Sequence, residues 1–139
     1  MSNSVAGLVQ YVVVRKDLFT CLAWPVGAVI AQACHAATAV THLFHDDDNM
    51  KTYLADLDNM HKVVLGIDGE AKIRQLSEKL SEAAVDHKLW IEQPEDIPTC
   101  LVTKPYPKQE VSKYFKKLKL LKVDEAQAQS PKTEENTSQ

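Results

Sequence analysis

The sequence contains only three cysteines, and their spacing argues against two kinds of cysteine chemistry. Cys21, Cys34 and Cys100 are odd in number, and no two of them form a CxxC pair. Structural zinc sites usually require closely spaced cysteine pairs, and disulfide frameworks usually require an even number. We therefore expect reduced thiols, no structural zinc and a cytoplasmic protein.

Long apolar runs and a secretory leader are also missing from the sequence. No stretch contains the roughly 18–20 consecutive apolar residues that a membrane-spanning helix requires, so we predict no membrane partner. The N-terminal MSNSVAG has neither the basic nor the apolar segment of a signal peptide, and we expect no secretory signal. A chain of 139 residues, 45% of them hydrophobic, is long enough for one domain with an ordinary core.

The net charge of −3 conceals a strongly uneven distribution of charged side chains. Residues 1–103 hold 14 acidic and 8 basic side chains, whereas residues 104–122 hold seven lysines and one acid. A basic segment on an acidic body favours contact with an anion, although a solvated lysine-rich helix end explains the same charges. The basic side chains that we consider for phosphate contacts are Arg15, Lys16, Lys104, Lys108, Lys113, Lys116, Lys117, Lys119 and Lys122.

Hydrophobic periodicity divides residues 8–122 into alternating strands and helices. Apolar runs predict strands over 8–14, 62–67, 87–92 and 99–103, and helical spacing predicts helices over 24–45, 50–57, 70–84 and 107–115. The order β-α-α-β-α-β-β-α favours an α/β sheet with helices on both faces. Helical crossovers predict that the first three strands pair in parallel, and the short QPEDIP link allows an antiparallel fourth strand. Residues 123–139 are polar and lack aromatic side chains, which predicts a disordered tail.

The junction between the first strand and the first helix carries the strongest functional signal. Arg15, Lys16 and Asp17 directly follow a buried strand, and open α/β sheets bind ligands beyond the carboxyl ends of their strands. We therefore expect His35, on the helix that follows, and this charged strand end to open onto one shared crevice.

The first helix separates an apolar stripe from a polar one. The stripe predicted to face the core consists of Val29, Ile30, Ala33, Ala37, Val40 and Phe44. The opposite side carries Ala28, Gln32, His35, Ala39, His42 and His45. A neutral His35 on this side is able to deprotonate water, whereas a half-buried structural histidine explains the residue equally well. The spacing of His42 and His45 permits a metal ion, but no other ligand cluster supports one, and we predict no metal site.

Several motifs along the chain occur together in one known family. VVVRKDL followed by G-x-V-x-A-Q-x-x-H-A-A resembles the type 2 peptidyl-tRNA hydrolases, and MHKVVL, LWIEQPE-x-I-x-TC and PYPK-x-EV resemble a divergent branch of them. The resemblance covers residues 8–122 and implies a three-layer α/β/α sandwich with a four-stranded mixed sheet. It also implies hydrolysis of the ester that joins a peptide to tRNA, with tRNA or peptidyl-tRNA as the partner and no metal or organic cofactor. It leaves open whether the chain forms a homodimer.

Two positions of the family's active site differ in this chain. Aligned on the family pattern, Ala28 stands where the family has its catalytic lysine, and Gln93 stands where it has an aspartate. Asp17, Gln32 and His35 match the pattern. Loss of one electrostatic contact to a developing oxyanion raises a barrier by roughly 3–4 kcal/mol, so we expect weak or altered hydrolysis.

Two functions are compatible with this pattern. In an ester hydrolase, His35 would activate water, Gln32 and Gln93 would position the ester, Asp17 would organise the strand-end loop, and Glu92 would replace the missing aspartate as the base. Strand alternation places Glu92 and Gln93 on opposite faces, so we expect only one of them in the cleft. In a non-catalytic binding module, the lysines named above would keep contacts with RNA or with a protein partner.

Overall fold

The computed structural model describes residues 5–123, and its secondary structure follows the predicted order of strands and helices. The strands are β1 (Leu8–Arg15), β2 (Lys62–Ile67), β3 (His87–Glu92), β4 (Ile97–Thr103), β5 (Tyr106–Pro107) and β6 (Lys119–Leu120). The helices are α1 (Asp17–Thr20), α2 (Val26–Leu43), α3 (Asp48–Leu54), α4 (Glu70–Glu82) and α5 (Lys108–Val111). Short 3₁₀ turns cover Val5–Gly7, Leu57–Asn59 and Ser112–Tyr114. The tail predicted over 123–139 lies, apart from Val123, outside the described residues.

The strands form one mixed sheet in the order β3-β4-β1-β2-β6, with β5 also paired to β1. β1 and β2 are parallel, whereas β4 is antiparallel to both β1 and β3. The predicted mixed α/β sheet is therefore confirmed, and two-residue segments too short for a sequence pattern raise its strand number from four to six. The predicted pairing of the second and third strands is wrong, because β1 and β4 lie between β2 and β3.

Helices cover both faces of β1, and all eight of its residues are buried. Val9, Tyr11 and Val13 pack on the side of α4, against residues such as Ile73 and Leu80. The alternate residues Val12 and Val14 pack on the side of α2, in a cluster that includes Val29, Val40 and Cys100. Each fully buried valine contributes roughly 1.5–3 kcal/mol relative to exposure. The two apolar clusters make β1 the centre of a three-layer α/β/α sandwich.

The face of α2 that packs against the sheet differs from the one that periodicity predicts. The buried residues are Val29, Gln32, Ala36 and Val40, whereas Ile30, predicted in the core, is 58% exposed. Alanines occupy many positions around this helix, so its apolar contrast is weak and its rotation is poorly determined by sequence. As a result, the side chain of Gln32 lies on the buried side of α2, next to the sheet.

α2 also corrects the expectation that no segment is apolar enough to cross a membrane. It is 18 residues long with a mean hydropathy of 1.2, which is sufficient by length and composition alone. In the structure the helix lies along the sheet, with Val29, Ala36 and Val40 buried in the core.

The ends of several helices differ from the predicted ones. Residues 17–20, expected as a loop, form α1. α3 begins at Asp48 because the Asp47 side chain caps it, accepting a hydrogen bond from the Met50 amide at 3.0 Å. α4 begins at Glu70 as predicted, and α5 ends at Val111, where a 3₁₀ turn takes over.

Candidate functional site

Three of the five predicted catalytic residues line one cavity beside the start of α2. Gln32, Glu92 and Gln93 surround a space of about 300 Å³, together with Ala28 and with Trp24, Pro25 and Glu95. The cavity lies between the first turns of α2 and the end of β3. The positive end of the α2 dipole therefore borders it, which favours negative charge at this place.

Gln32 is the centre of the hydrogen bonds in this cavity. Its side chain is 3% exposed, its Nε2 donates to the Glu92 carboxylate, and its Oε1 accepts from Thr99 Oγ1 at 2.9 Å. Nε2 also lies 3.3 Å from the carbonyl oxygen of Ala28. With both ends of the amide engaged, Gln32 has one orientation, and it holds the Glu92 carboxylate in place.

A β-bulge explains why Thr99 reaches Gln32. Trp90 pairs with Cys100, but the next residue of β3, Ile91, pairs with Pro98, so Thr99 is an extra residue on β4. Such a bulge turns a side chain that would otherwise lie on the opposite face of the sheet. Sequence reasoning did not assign Thr99 a role, because a bulge leaves no signal in hydrophobic alternation.

Glu92 is held as a carboxylate by the groups around it. The hydrogen bond from Gln32 is the largest cause that lowers the pKa of Glu92, and burial partly opposes it. The backbone N–H of Gln93 donates to the other carboxylate oxygen at 3.0 Å and lowers the pKa further. The neighbouring His35 and the indole of Trp90 also lower the pKa of Glu92.

The expectation that only one of Glu92 and Gln93 enters the cleft is wrong. Both line the cavity, because β3 ends at Glu92 and the alternation of a strand does not extend to Gln93. The Gln93 side chain is exposed and donates from Nε2 to Asp96 at 3.3 Å. The amide of Gln93 is therefore less firmly held than that of Gln32.

His35 lies one turn after Gln32 on α2, beside the cavity lining rather than within it. Its ring is exposed and stacks on Trp90, with 4.9 Å between ring centroids and 23° between planes. The Trp90 Nε1 is buried and has no hydrogen-bond partner of ordinary geometry in the described part of the chain. Because Trp90 and Glu92 are two residues apart on β3, alternation predicts their common face, and this signal identifies Trp90 as part of the site.

Asp17 lies in a different cavity from Glu92. Arg15 binds it through two hydrogen bonds, Nε to Oδ1 at 2.9 Å and Nη2 to Oδ2 at 2.6 Å. Arg15 itself is 5% exposed and donates from Nη1 to the carbonyl oxygen of Pro98 at 2.9 Å. Asp17 lines a cavity of about 710 Å³ with Lys16 and Lys119.

The predicted single crevice is thus divided into two neighbouring cavities. Arg15 and Asp17 connect to Pro98, and the next residue, Thr99, connects to Gln32 and through it to Glu92. These contacts all lie where the carboxyl end of β1 meets the start of β4. Asp17 is therefore connected to the Gln32 cavity through Arg15 and the backbone of β4.

Five lysines line a third cavity, and we call this surface the lysine groove. It has a volume of about 480 Å³ beside α4 and β6, and its lysines are Lys16, Lys72, Lys79, Lys117 and Lys119. Asp68 is the acidic residue in its lining and pairs with Lys16 at 2.9 Å. Gly66 makes room for Lys16, since a Cβ at that position would lie 2.7 Å from the Lys16 Cγ. Sequence reasoning missed Lys72 and Lys79, which helical spacing places two turns apart on α4.

The remaining basic candidates do not line this groove. Lys104 is 9% exposed and pairs with Asp47 at 2.5 Å and Asp86 at 3.1 Å, above the ring of Tyr106. Burial alone would lower the pKa of Lys104, but the hydrogen bonds to the two aspartates outweigh it and raise the pKa. The ammonium of Lys104 is engaged inside the protein, which argues against a phosphate contact.

Arg15 is engaged in the same way by Asp17. The other four lysines, Lys108, Lys113, Lys116 and Lys122, are exposed outside the groove, and Lys122 lines the cavity that contains Asp17. Among residues 5–123, no group of three or more His, Cys, Asp or Glu side chains is arranged to hold a metal ion.

Comparison with known proteins shows the family of this chain. The family model described as peptidyl-tRNA hydrolase PTH2 matches residues 8–121. A mouse (Mus musculus) protein with the name "Putative peptidyl-tRNA hydrolase PTRHD1" is 52% identical over 116 residues, which cover 83% of each chain. The human (Homo sapiens) protein of the same name is 50% identical over 116 residues, with the same coverage. The resemblance predicted from the motifs is confirmed, and the chain belongs to the PTH2 family of peptidyl-tRNA hydrolases.

Proposed function

We propose that the cavity at the start of α2 binds the acylated end of a peptidyl-tRNA and that the chain hydrolyses its ester slowly. The family and the names of the relatives supply the substrate class. The observation that carries the proposal is the Glu92 carboxylate, fixed at this cavity by a buried and fully engaged Gln32.

In this mechanism Glu92 is the general base. The carboxylate accepts a proton from a water molecule, and the water oxygen attacks the carbonyl carbon of the ester. The bond between that carbon and the ribose oxygen then breaks, and the ribose oxygen takes up a proton. The products are a peptide with a free carboxyl group and a tRNA with a free ribose hydroxyl. Gln32 positions the base, while the Gln93 amide and the first N–H groups of α2 are the donors available to the ester oxygen.

Two features make this hydrolysis slow. The hydrogen bond that fixes Glu92 also lowers its pKa, and a carboxylate with a lower pKa is a weaker base. Ala28 adds no positive charge beside the developing oxyanion, so the helix dipole acts there without a lysine.

A turnover assay with purified chain and peptidyl-tRNA tests the proposed base. We expect measurable release of the peptide, and we expect Glu92→Gln to lower the rate by roughly 10²-fold. Glu95→Gln is the matched control, because it removes the same charge from the lining of the same cavity. Equal rates for Glu92→Gln and the unmodified chain would reject Glu92 as the base.

A second experiment asks whether the two replaced positions limit the rate. Ala28→Lys and Gln93→Asp, combined in one chain, restore the charges that the family pattern has at these positions. We expect the double variant to release peptide roughly 10²–10³ times faster, because a positive charge then borders the oxyanion. If the double variant folds and is no faster, these two replacements do not limit the rate.

The lysine groove favours a second function, an RNA-binding module without turnover. Its five lysines come from the residue after β1, from α4 and from the C-terminal segment, and they line one surface that is suited to a phosphate backbone. The two functions differ in a simple readout. Salt-sensitive tRNA binding without any release above that of a heat-inactivated sample would favour the module.

We propose the cytoplasm as the compartment of this protein. Cys21, Cys34 and Cys100 are all free thiols, and two of them are exposed, which suits a reducing environment. Fractionation of cells that express the full chain tests this, and recovery in a membrane or secreted fraction would contradict it.

A further inference from the structure

A further cavity lies at the other end of the sheet. It has a volume of about 540 Å³ and is bounded by the starts of β1 and β2, the C-terminal half of α2, and α3. Gln10 in its lining precedes Arg15 by five residues on β1, which corresponds to about 17 Å along a strand. This second pocket is therefore separate from the Gln32 cavity and has no part in the proposed hydrolysis.

The side-chain amide of Gln10 lines the second pocket. The residue as a whole is 2% exposed, its side chain forms no hydrogen bond within residues 5–123, and its amide atoms are not fully enclosed. Its backbone N–H donates to the carbonyl oxygen of His61 at 3.0 Å. Because this amide reaches the pocket and has no partner within residues 5–123, its oxygen and nitrogen are available to a polar ligand there.

A cation without a counter-ion stands next to this amide. Lys62 is opposite Gln10 in the register of β1 and β2. Its Nζ donates to the Tyr53 hydroxyl at 3.3 Å and lies 3.7 Å from the Met60 sulfur. No carboxylate of the described chain forms an ion pair with Lys62, and partial burial lowers the pKa of this ammonium.

The rest of the lining completes an amphiphilic environment. The pocket has no acidic side chain in its lining, and His42 and His45 stand at the α2 side. Asp46 pairs with His45 at 3.2 Å but is not part of the lining. Leu54 and Leu57 supply apolar surface, and the side chain of Leu57 is 60% exposed.

We infer that the second pocket binds a small amphiphilic carboxylate, whose charged group pairs with Lys62 and Gln10 and whose hydrocarbon body packs against Leu54, Leu57 and Met60. One ammonium and one amide N–H match the two oxygens of a carboxylate. The volume is within the range of pockets that hold one small molecule. An apolar lining with few polar groups suits a hydrocarbon body better than a sugar or a polyphosphate.

The inference is tested by titrating the isotope-labelled full chain with sodium octanoate and following amide chemical shifts. We expect saturable shifts at Gln10, Lys62 and the C-terminal half of α2. Octyltrimethylammonium has the same chain with the opposite charge, and we expect it to give no saturable shift at these residues. Equal binding of both probes, or no saturable shift at millimolar octanoate, would overturn the inference.

Two variants and one matched control show whether the ligand sits in this pocket. Lys62→Met removes the cation and should raise the dissociation constant for octanoate about tenfold or more. Lys51→Met removes an exposed lysine of α3 outside the lining and should leave that constant unchanged. Ala37→Leu should also abolish binding by filling the pocket from α2, and it keeps the test decisive if Lys62→Met does not fold. Unchanged octanoate binding in the folded Ala37→Leu variant would contradict the inference.

Discussion

Glu92 and Asp17 are two carboxylates held near the same end of the sheet by different chemistry. Neutral donors, the Gln32 amide and the Gln93 backbone, hold Glu92. A buried guanidinium, that of Arg15, holds Asp17 through two hydrogen bonds. An ion-paired carboxylate is a poor proton acceptor, whereas one held by neutral groups keeps access to water. On this difference we propose Glu92 as the base and infer a structural role for Asp17.

The assignment of Glu92 predicts how hydrolysis depends on pH. The base acts as a carboxylate, and its pKa is lowered from an ordinary value of 4.5 by the hydrogen bond from Gln32. We therefore expect the enzyme-dependent rate to be retained as the pH falls toward 4.5 and to be lost only below it, as Glu92 takes up a proton. The measurement is peptide release at stepwise lower pH, with the uncatalysed rate subtracted.

A decline of the rate that starts at a higher pH would contradict the assignment of Glu92 as the base. A loss of rate that begins well above pH 4.5 and is absent in His35→Gln would identify His35 as the base.

The ion pair of Asp17 with Arg15 leads to a prediction about the stability of the fold and not about the rate of hydrolysis. Asp17→Asn leaves the buried Arg15 without its bidentate partner, and charged hydrogen bonds of this kind contribute about 2 kcal/mol. We expect the free energy of unfolding to fall by about that amount, measured by urea denaturation. Asp68→Asn is the matched control, since Asp68 is exposed in its pair with Lys16 and its loss should leave the unfolding midpoint unchanged. Equal midpoints for the two variants would contradict the role given to Asp17.

Among the secondary-structure elements, the long ones could be predicted from sequence and the short ones could not. β1, β2, β3 and α4 carry unbroken apolar runs or clear helical spacing, so their patterns suffice. β5 and β6 are two residues each, and α1 is a single turn, so tertiary pairing decides them. The rotation of α2 also needed the structure, because its alanines do not distinguish the buried side.

The residues of the candidate site also divide into those that the sequence predicts and those that only the structure shows. Motifs identified Gln32, His35 and Glu92, but alternation misplaced Gln93 and gave no sign of the bulge at Thr99. Counting charges along the chain predicted one basic surface, but the fold separates these lysines. Neighbouring residues in loops and short helices point in different directions, so closeness in sequence does not place their side chains together.

The ion pairs of Lys104 predict how strongly the start of α3 and the segment before β3 are held together. Its ammonium connects Asp47, the cap of α3, with Asp86, which precedes β3. Lys104→Met leaves both carboxylates without this cation, and we expect the free energy of unfolding to fall by about 3 kcal/mol. Lys113→Met is the control, because Lys113 is an exposed lysine of the same basic segment. Equal urea midpoints for the two variants would contradict the stabilising role of Lys104 and leave it available for a phosphate contact.

The stabilising effect of Lys104 should also follow the direction of its pKa. The pKa is raised above 10.5 in the folded chain, so the contribution is complete below 10.5 and is lost as the pH rises through the higher folded value. We therefore expect the stability difference between Lys104→Met and the unmodified chain to be constant around neutral pH. A difference that changes between mildly acidic and neutral pH would contradict this pairing.

At the scale of the described molecule, residues 5–123, the lysine groove and the candidate chemistry lie near one end of the sheet. The carboxyl end of β1 supplies Lys16 to the lysine groove and Arg15 to the contacts that lead to Gln32. A nucleic acid bound along the groove would therefore run close to the Gln32 cavity. The acidic remainder of the chain would disfavour RNA binding elsewhere on the surface.

This arrangement predicts which lysines control the salt dependence of tRNA binding. Each phosphate contact contributes about 0.7–0.9 to the slope of log affinity against log salt. Lys72→Ala and Lys117→Ala each remove one lysine of the groove, so each should flatten the slope by about that amount. Lys108→Ala removes an exposed lysine outside the groove and should leave the slope unchanged. If filter binding over a series of salt concentrations shows that Lys108→Ala flattens the slope and Lys72→Ala does not, RNA follows the basic segment of the sequence and the groove is not its binding surface.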